Sequence, residues 1–265
     1  NGCTIRGGSL QKIGIADTMV PRFQVVEYLR AFLMNRVANA HMNTLMLISG
    51  AFGLFRRSTL VEMGGYRHDT VGEDLELVVR MHRHMRDQKR DYRIDFVPDI
   101  VCWTEAPAEL DGLDNQRARW QQGALETLQR HRGMILNPRY GRIGLLAMPQ
   151  IVLEDIFGPP AELLGYLVLP AAALLGLLDP MMAVAFFFVS VVFGCVLSLG
   201  TLALEEQQLR RTPSAKDLLR LGAAAVLENF GYRQINLWYR MAGIRRYFRN
   251  DTSWAAVPRV GLGKS

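Results

Sequence analysis

The sequence predicts an α/β domain followed by transmembrane helices. In residues 1–142, short strand-like runs alternate with longer helix-like runs, which is typical of an α/β domain. Residues 143–204 are nearly uncharged and rich in Leu, Ala, Val and Phe, so this part is too apolar for a solvated domain. The length of 265 residues is enough for one large domain or two ordinary ones.

The first elements are a short strand and a long helix. Residues 1–20 predict a strand and a turn punctuated by glycines. A helix is expected from Pro21, whose ring suits a first helical turn and after which apolar residues recur at helical spacing. The polar residues among them are expected mostly on a solvated helix face: Gln24, Glu27, Tyr28 and Arg30.

Residues 43–55 predict a buried strand, a turn of small residues and a second short strand. The turn is Ser49, Gly50, Ala51 and Phe52, and its first three residues have almost no side chain. A ligand could approach the backbone there, although an ordinary glycine bend between strands explains the same residues equally well. Next, Ser58 is expected to cap a short helix, with Glu62 near its third helical position.

Two adjacent carboxylates, Glu73 and Asp74, follow Gly72 at the start of a predicted helix over residues 73–85. The simplest interpretation is that they complement the helix dipole. However, side chains one residue apart diverge by about 100° on a helix, so one carboxylate can face a cleft while the other anchors the loop. A carboxylate in a partly desolvated cleft can act as a general base. Asp74 is the candidate for that role, with Glu73 supporting it.

Residues 92–98 and 101–107 predict two further strands, and residues 111–132 a helix that carries Gln-Arg-Ala-Arg-Trp at 116–120. Gln116, Arg119 and Trp120 share one face of that helix. A guanidinium can bind a diphosphate through two hydrogen bonds, an indole offers a flat face to a sugar ring, and an amide can bind hydroxyls. The alternative is a basic helix at a membrane surface, with the tryptophan in the interfacial belt.

The second half contains the apolar segments. Residues 143–157 are interrupted by a proline and two acids, which favours a helix lying in the membrane interface. Residues 162–178 and 181–204 predict a transmembrane hairpin that turns at Asp179 and Pro180. Four basic residues after it place the following loop, and with it the first half of the chain, in the cytoplasm: Arg210, Arg211, Lys216 and Arg220.

A third apolar segment, residues 218–243, contains Glu228 and Arg233. Charges of this kind make an isolated span costly, so the segment is either a third span packed on its neighbours or an interfacial helix. The arginines that follow slightly favour the interfacial helix. The predicted organisation is a domain over residues 1–142, a membrane region over 143–249 and a tail over 250–265.

The net charge of +6 fits the membrane better than it fits nucleic acid. With long apolar segments present, the positive-inside bias and attraction to anionic lipid account for the basic residues. His82 and His84 are expected on a solvated basic face, and His131 at the surface. The three cysteines are widely spaced and indicate neither a disulfide framework nor a zinc site: Cys3, Cys102 and Cys195.

The order of these features resembles the processive family 2 glycosyltransferases. The resemblance rests on the glycine-led Glu-Asp, a Trp-Thr-Glu-Ala-Pro segment at 103–107, Gln-x-x-Arg-Trp at 116–120 and the membrane helices that follow. It covers roughly residues 1–204 in order and spacing. Members are the membrane-embedded synthases of cellulose, hyaluronan, chitin and poly-N-acetylglucosamine. The chain begins at Asn1 without a Met, and it is therefore expected to be an N-terminally truncated fragment.

The resemblance implies a GT-A fold, of which residues 1–142 would be the C-terminal part. It implies an inverting single displacement from a UDP-sugar, assisted by Mg²⁺ or Mn²⁺, onto a growing β-linked polysaccharide or a glycolipid. The expected location is the cell inner membrane, with several spans and a cytoplasmic catalytic domain. The alternatives are a non-processive transferase that acts on a lipid carrier or membrane lipid, a non-catalytic membrane scaffold and, with least support, a membrane-tethered nucleic-acid binder.

The resemblance also implies residue roles. Asp74 would deprotonate the acceptor hydroxyl, and residues 49–52 would lie where the acceptor sugar approaches the backbone. Glu105 would shape the acceptor site or make a structural hydrogen bond. The acceptor end and the donor diphosphate would be held by Gln116, Arg117, Arg119 and Trp120.

One departure from the family pattern concerns the metal. The upstream nucleotide-binding acid and the Asp-x-Asp metal motif of the family do not occur, because Asp87 and Asp91 lie on the wrong side of the Glu-Asp pair. These ligands are expected before Asn1. The chain by itself is therefore expected to bind donor and metal poorly and to be inactive.

Overall fold

A computed structural model describes residues 2–6, 9–13, 18–30, 35–97, 106–209 and 215–251. It begins with an antiparallel hairpin of β1 (Gly2–Arg6) and β2 (Ser9–Ile13). The rest of the described chain is helical or irregular. The helices are α1 (Met19–Leu29), α2 (Val37–His41), α3 (Arg57–Glu62), α4 (Glu73–Asp87), α5 (Leu110–Arg130), α6 (Met148–Ile151), α7 (Gly158–Leu174), α8 (Pro180–Leu209), α9 (Ala215–Leu227) and α10 (Tyr232–Phe248).

The predicted helices are present, with shifts of a few residues at their ends. Helix α4 follows Gly72, and its first turn contains Glu73, Asp74 and Glu76, whose charges suit the positive end of a helix. The prediction that Ser58 caps α3 is wrong, because Arg56 occupies the cap position. A side chain caps a helix only from the residue at which extended backbone turns into the helix. That residue is Arg56, two positions before Ser58.

The predicted strands at residues 44–48, 53–55 and 92–97 have no regular secondary structure, so the described residues do not confirm the α/β prediction. The Asn43 side chain, next to the first of these segments, makes hydrogen bonds to the last. The Asn43 amide donates to the Tyr92 carbonyl at 3.1 Å and accepts from the Ile94 N–H at 3.1 Å. A strand requires a ladder of backbone partners, and a single amide does not supply one. The predicted strand at 101–107 falls largely on residues 98–105, which lie outside the described residues.

Helix α1 corrects a second expectation, because its polar residues do not lie on a solvated face. Gln24 is buried and donates to the Pro107 carbonyl at 2.7 Å. Glu27 pairs with a guanidinium on α5, and Arg30 with a carboxylate that follows α9. The helix packs against α8 and α9 as well, so most of its circumference meets protein rather than water.

Two histidines predicted at the surface are buried. The ring nitrogens of His82 lie 2.8 Å from the Tyr92 hydroxyl and 2.8 Å from the Leu45 carbonyl. His131 is buried against Glu76 at 3.2 Å, whereas His84 is half-buried beside Glu62. Burial of the two rings is tolerated because each ring makes hydrogen bonds inside the protein.

Two helical stretches are long and apolar enough to cross a membrane. They cover Ile143–Leu174, with 32 residues, and Pro180–Leu204, with 25. Only 6% and 11% of their most apolar windows are buried inside the protein, unlike the core helix of a soluble domain. The predicted interfacial helix at 143–157 forms the first part of the stretch Ile143–Leu174 and is continuous with α7. It contains two π-helical turns, Ile143–Ala147 and Val152–Phe157. The predicted turn is present, and Asp179 caps α8 by accepting from the Met182 N–H at 2.9 Å.

The third apolar segment, residues 218–243, is two helices rather than one. The chain turns between α9 and α10 at Gly231, whose φ of +98° favours glycine. Helix α10 then packs along α5, where a Cβ added to Gly243 would lie 2.4 Å from the Ala118 carbonyl oxygen. This contact joins the C-terminal helices to the half of the chain that carries residues 116–120.

Helices α4 and α5 meet backbone to backbone at Gly72 and Gly123. A Cβ added to Gly123 would lie 2.7 Å from the Gly72 Cα, closer than real Cβ contacts. Glycine at both positions therefore permits the acidic start of α4 to lie directly on the middle of α5.

We expect Gly123→Ala to lower the free energy of unfolding by about 1–3 kcal/mol, because the added methyl group would push α4 away from α5. The control is Gly165→Ala, also within a helix, where a Cβ meets nothing within 4 Å. Thermal unfolding of the detergent-solubilised chain measures both. A Gly123→Ala variant as stable as the Gly165→Ala variant would contradict the contact.

The burial of His82 predicts a loss of stability at acidic pH. Burial lowers the pKa of His82 to about 4. The unfolded chain has an ordinary histidine pKa near 6.5, so it binds a proton between about pH 6.5 and 4 that the folded chain does not. The free energy of unfolding should therefore fall by about 3 kcal/mol as the pH falls through that window. Thermal unfolding at several pH values should show that the stability of His82→Gln depends less steeply on pH than that of the wild type. Equal slopes for the two proteins would contradict the role of His82.

Candidate active site

The acidic start of α4 faces the small-residue turn at 49–52. The Gly50 N–H donates to Asp74 Oδ2 at 3.0 Å, and the Leu75 N–H donates to Asp74 Oδ1 at 2.8 Å. A Cβ added to Gly50 would lie 3.3 Å from Asp74 Oδ2, so a small residue suits this approach. The structure thus brings together two features that were predicted separately, the turn and Asp74.

A cation and a phenol lie near this carboxylate. Burial lowers the pKa of Arg36 to about 10, and the charge of Asp74 opposes that fall. Burial raises the pKa of Tyr66, and the charges of Asp74 and Glu73 add to the rise. Both side chains are therefore close enough to Asp74 to interact with its charge. Neither Arg36 nor Tyr66 is among the site residues that the sequence predicts.

The loop before Gly72 is fixed to α5 by Glu126. Glu126 Oε2 accepts from the Thr70 hydroxyl at 2.7 Å and from the Val71 N–H at 3.0 Å. Its Oε1 accepts from the Gln122 amide at 2.9 Å. Oε2 thus holds the segment that leads into the acidic pair, while Oε1 is bound by Gln122 of the same helix. A single glutamate within a helix carries no sequence signal for such a role.

The third acid of α4, Glu76, is structural. Its carboxylate is fully buried and pairs with Arg80 at 3.1 Å and with His131 at 3.2 Å. Burial raises the pKa of Glu76, but the hydrogen bonds and charges of His131 and Arg80 outweigh it and leave the pKa below its ordinary value. Glu76 therefore anchors α4 while Asp74, half a turn earlier, faces the turn at 49–52.

Three of the predicted site residues lie on one face of α5, and that face leads to the start of α4. Gln116, Arg119 and Trp120 share a stripe with Gly123, which touches Gly72. Arg119 precedes Gly123 by one turn, or about 6 Å along the axis. Trp120 is 44% exposed, and among the described residues no carboxylate pairs with Arg119. A guanidinium and an exposed indole thus lie about one turn from the start of α4.

Arg117 was predicted alongside these residues, but its side chain points into the protein. It is 6% exposed and makes a two-pronged ion pair with Glu27, at 2.8 and 2.7 Å. Its guanidinium carbon lies 4.6 Å from the centre of the Trp120 ring. The structure therefore places Arg117 beneath the surface that carries Trp120.

Residues of α1 that the sequence predicts on a solvated face complete this region instead. The Tyr28 hydroxyl donates to Gln116 Oε1 at 3.4 Å, and the Tyr28 ring lies 6.3 Å from the Trp120 ring. The available signal was spacing, since Gln24, Glu27 and Tyr28 recur at the same helical interval as Gln116, Arg119 and Trp120. The remaining predicted site residue, Glu105, lies outside the described residues.

The described residues do not supply a metal site. In the part of the chain that the structure describes, no three His, Cys, Asp or Glu side chains converge on one point. Asp87, the last residue of α4, pairs instead with Arg83 and Arg139. The divalent metal implied by the resemblance therefore has no such three-residue ligand set among the described residues.

We expect Glu126→Gln to destabilise the loop at 70–72. Both glutamate oxygens accept hydrogen bonds, so either orientation of a glutamine amide would turn an NH₂ group toward a donor. A loss of about 1–3 kcal/mol should follow, with faster hydrogen exchange at the Val71 amide. Asp91→Asn, at an exposed position, serves as the control. Unchanged exchange at Val71 would show that Glu126 does not hold the loop.

Comparison with known proteins gives two sets of relatives. The chain is 29% identical over 136 residues to the poly-β-1,6-N-acetyl-D-glucosamine synthase of Staphylococcus aureus strain COL, a match that covers 51% of this chain and 32% of that protein. It is 30% identical over 114 residues to the synthase of the same name from Staphylococcus epidermidis strain ATCC 35984, covering 43% of this chain and 26% of that protein. The chain thus spans about a third or less of the length of these relatives. No solved structure matches it.

A family of enzymes matches most of the chain. The family described as Glycosyl transferase family group 2 matches residues 16–204. That range runs from just before α1 into α8, and it includes the acidic start of α4, the stripe on α5 and both long apolar stretches. The chain therefore belongs to Glycosyl transferase family group 2.

Proposed function

We propose that this chain supplies the acceptor side of a membrane-bound, inverting, processive glycosyltransferase that extends a β-linked polysaccharide from a UDP-sugar. The observation that carries the proposal is Asp74, held by the Gly50 N–H at 3.0 Å beside the α5 face that bears Arg119 and Trp120. The name of the staphylococcal relatives supports UDP-N-acetylglucosamine as the first donor to test, ahead of UDP-glucose.

In the proposed reaction, an acceptor hydroxyl attacks the anomeric carbon of the donor sugar. The new C–O bond forms as the bond from that carbon to the diphosphate breaks, and the hydroxyl proton passes to Asp74. Asp74 Oδ2 has a lone pair beyond the one that accepts from the Gly50 N–H, so it can also accept a hydrogen bond from the hydroxyl of the acceptor sugar. Glu73, next in the chain, supports the loop.

Three residues of α5 have proposed roles in binding. Arg119 would stabilise the charge that develops on the departing diphosphate, because a guanidinium matches phosphate oxygens in geometry and charge. Trp120, partly exposed, would stack on the terminal acceptor sugar, and Gln116 would bind its hydroxyls. The turn at 49–52 would let that sugar approach the backbone. Glu105 retains its predicted role at the acceptor site.

The proposed setting is the inner membrane. The apolar surfaces of Ile143–Leu174 and Pro180–Leu204 are almost unburied within the protein, which supports membrane helices rather than core helices. The basic residues after α8 support a cytoplasmic catalytic half. We also propose that residues 1–142 belong to a GT-A domain, and that its Mg²⁺ or Mn²⁺ is held by residues outside the described part.

The full-length protein with Asp74→Asn tests the proposal. Loss of the general base should reduce turnover of UDP-N-acetylglucosamine by at least about 100-fold with little change in stability. Asp95→Asn, an exposed aspartate paired with Arg93, is the matched control and should keep wild-type turnover. Near-normal turnover by Asp74→Asn would remove Asp74 from its role.

The same assay separates processive from single transfer. Long polymers from a small fraction of acceptors support the processive enzyme, whereas addition of one sugar to every acceptor or to lipid supports the non-processive alternative. Inactive full-length wild-type protein, tested with both UDP-sugars, would instead support a non-catalytic scaffold.

A further inference from the structure

We propose that Glu27 is a positioning residue for acceptor binding. Through its ion pair with Arg117, it would fix the indole of Trp120 in the orientation that stacks on the acceptor sugar. This inference rests on the proposed function, in which Trp120 contacts the acceptor. It assigns a role to a residue 90 positions from Arg117 in sequence and on a different helix.

The Glu27 carboxylate is fully engaged. Its Oε1 accepts from Arg117 Nη1 at 2.8 Å, and its Oε2 accepts from Arg117 Nη2 at 2.7 Å and from the Tyr232 hydroxyl at 2.9 Å. The side chains of Arg117 and Glu27 are 6% and 26% exposed. A guanidinium this deeply buried needs a counter-charge, and the two parallel hydrogen bonds also set its plane. Glu27 and Tyr232 thus determine where the Arg117 guanidinium lies.

The guanidinium in turn contacts the aromatic residues. It lies 4.6 Å from the centre of the Trp120 ring and 5.8 Å from that of Tyr28, both within cation–π range. The two rings are tilted by 40° with their centres 6.3 Å apart. Arg117 therefore forms the inner support of Trp120, while the exposed part of the indole remains available to a sugar.

A second ion pair of α1 provides an internal control. Arg30, three residues after Glu27, pairs with Glu228 at 2.6 Å and also donates to the Ser198 hydroxyl. Glu228 is 1% exposed, so this pair is also buried on one side. It joins α1 to α8 and to the turn after α9, and none of its described contacts involves Trp120. Breaking it perturbs the seating of α1 without touching the support of the indole.

The test compares Glu27→Gln with Glu228→Gln in the full-length enzyme, since both changes are isosteric and each removes the carboxylate of an ion pair that has at least one buried partner. Acceptor KM is measured with a β-linked N-acetylglucosamine oligosaccharide, and folding by thermal unfolding. We expect Glu27→Gln to raise acceptor KM about tenfold with kcat changed less than about twofold, because loss of the guanidinium support weakens stacking. Glu228→Gln should leave acceptor KM unchanged.

A double-mutant cycle separates positioning from general destabilisation. If Glu27 acts through the indole, Glu27→Gln should have no further effect on acceptor KM in a Trp120→Ala background. The tryptophan emission that Trp120→Phe removes should also shift in Glu27→Gln, a readout independent of turnover. Should Glu27→Gln fail to fold, Tyr232→Phe removes one hydrogen bond to Glu27 and a long one from Arg117 Nη2, at 3.5 Å, and should raise acceptor KM about two- to threefold.

Several outcomes would overturn the positioning role. These are equal effects of Glu27→Gln and Glu228→Gln on acceptor KM, a Glu27→Gln effect that persists without Trp120, or an acceptor KM unchanged in both Glu27→Gln and Tyr232→Phe. If Asp74→Asn is inactive while these results appear, the proposed function stands and only the role of Glu27 is lost. If Asp74→Asn is active, the proposed function fails whatever Glu27 does.

Discussion

The backbone contact between Gly72 and Gly123 is the constraint on which the site depends. Because neither residue has a side chain, α4 begins directly on α5, where any Cβ would collide with the opposite backbone. This approach puts Asp74 near the helical stripe of Arg119 and Trp120, although some 45 residues separate them in the chain. Glu126 then secures the loop that enters the contact. Two glycines and one glutamate thus set the separation between Asp74, the proposed base, and Arg119, the proposed diphosphate-binding residue.

Buried ion pairs determine how the other helices are seated around this contact. Glu27 with Arg117, Arg30 with Glu228 and Glu76 with Arg80 each place a carboxylate in a largely dry environment. Desolvation offsets much of the attraction in such pairs, so their main effect is to define geometry rather than to add stability. Helix α1 and its C-cap residue Arg30 provide two of these charges with opposite sign, Glu27 toward α5 and Arg30 toward α8. The same helix therefore links α5 to the long apolar helix α8.

The C-terminal helices reinforce that link from the other side. Helix α10 returns from the apolar hairpin to pack along α5, and its Tyr232 hydroxyl reaches Glu27. The sequence could not show this, because 205 residues separate the two partners. The predicted strands at 44–48, 53–55 and 92–97 are absent for a related reason, since a strand exists only where another segment supplies its ladder of backbone hydrogen bonds. Here side chains such as Asn43 and His82 bind these segments instead.

Local patterns in the sequence determined the helices, the acidic start after Gly72, the shared face of Gln116, Arg119 and Trp120, and the two long apolar stretches. Each of these depends on residues within one or two turns, where helical periodicity governs which side chains are neighbours. The tertiary structure alone decided the burial of His82 and His131, the inward turn of Arg117 and the partners of Glu27 and Glu126. A charged or polar side chain looks the same in sequence whether water or a distant partner satisfies it, and only the packing of helices brings that partner within hydrogen-bond distance.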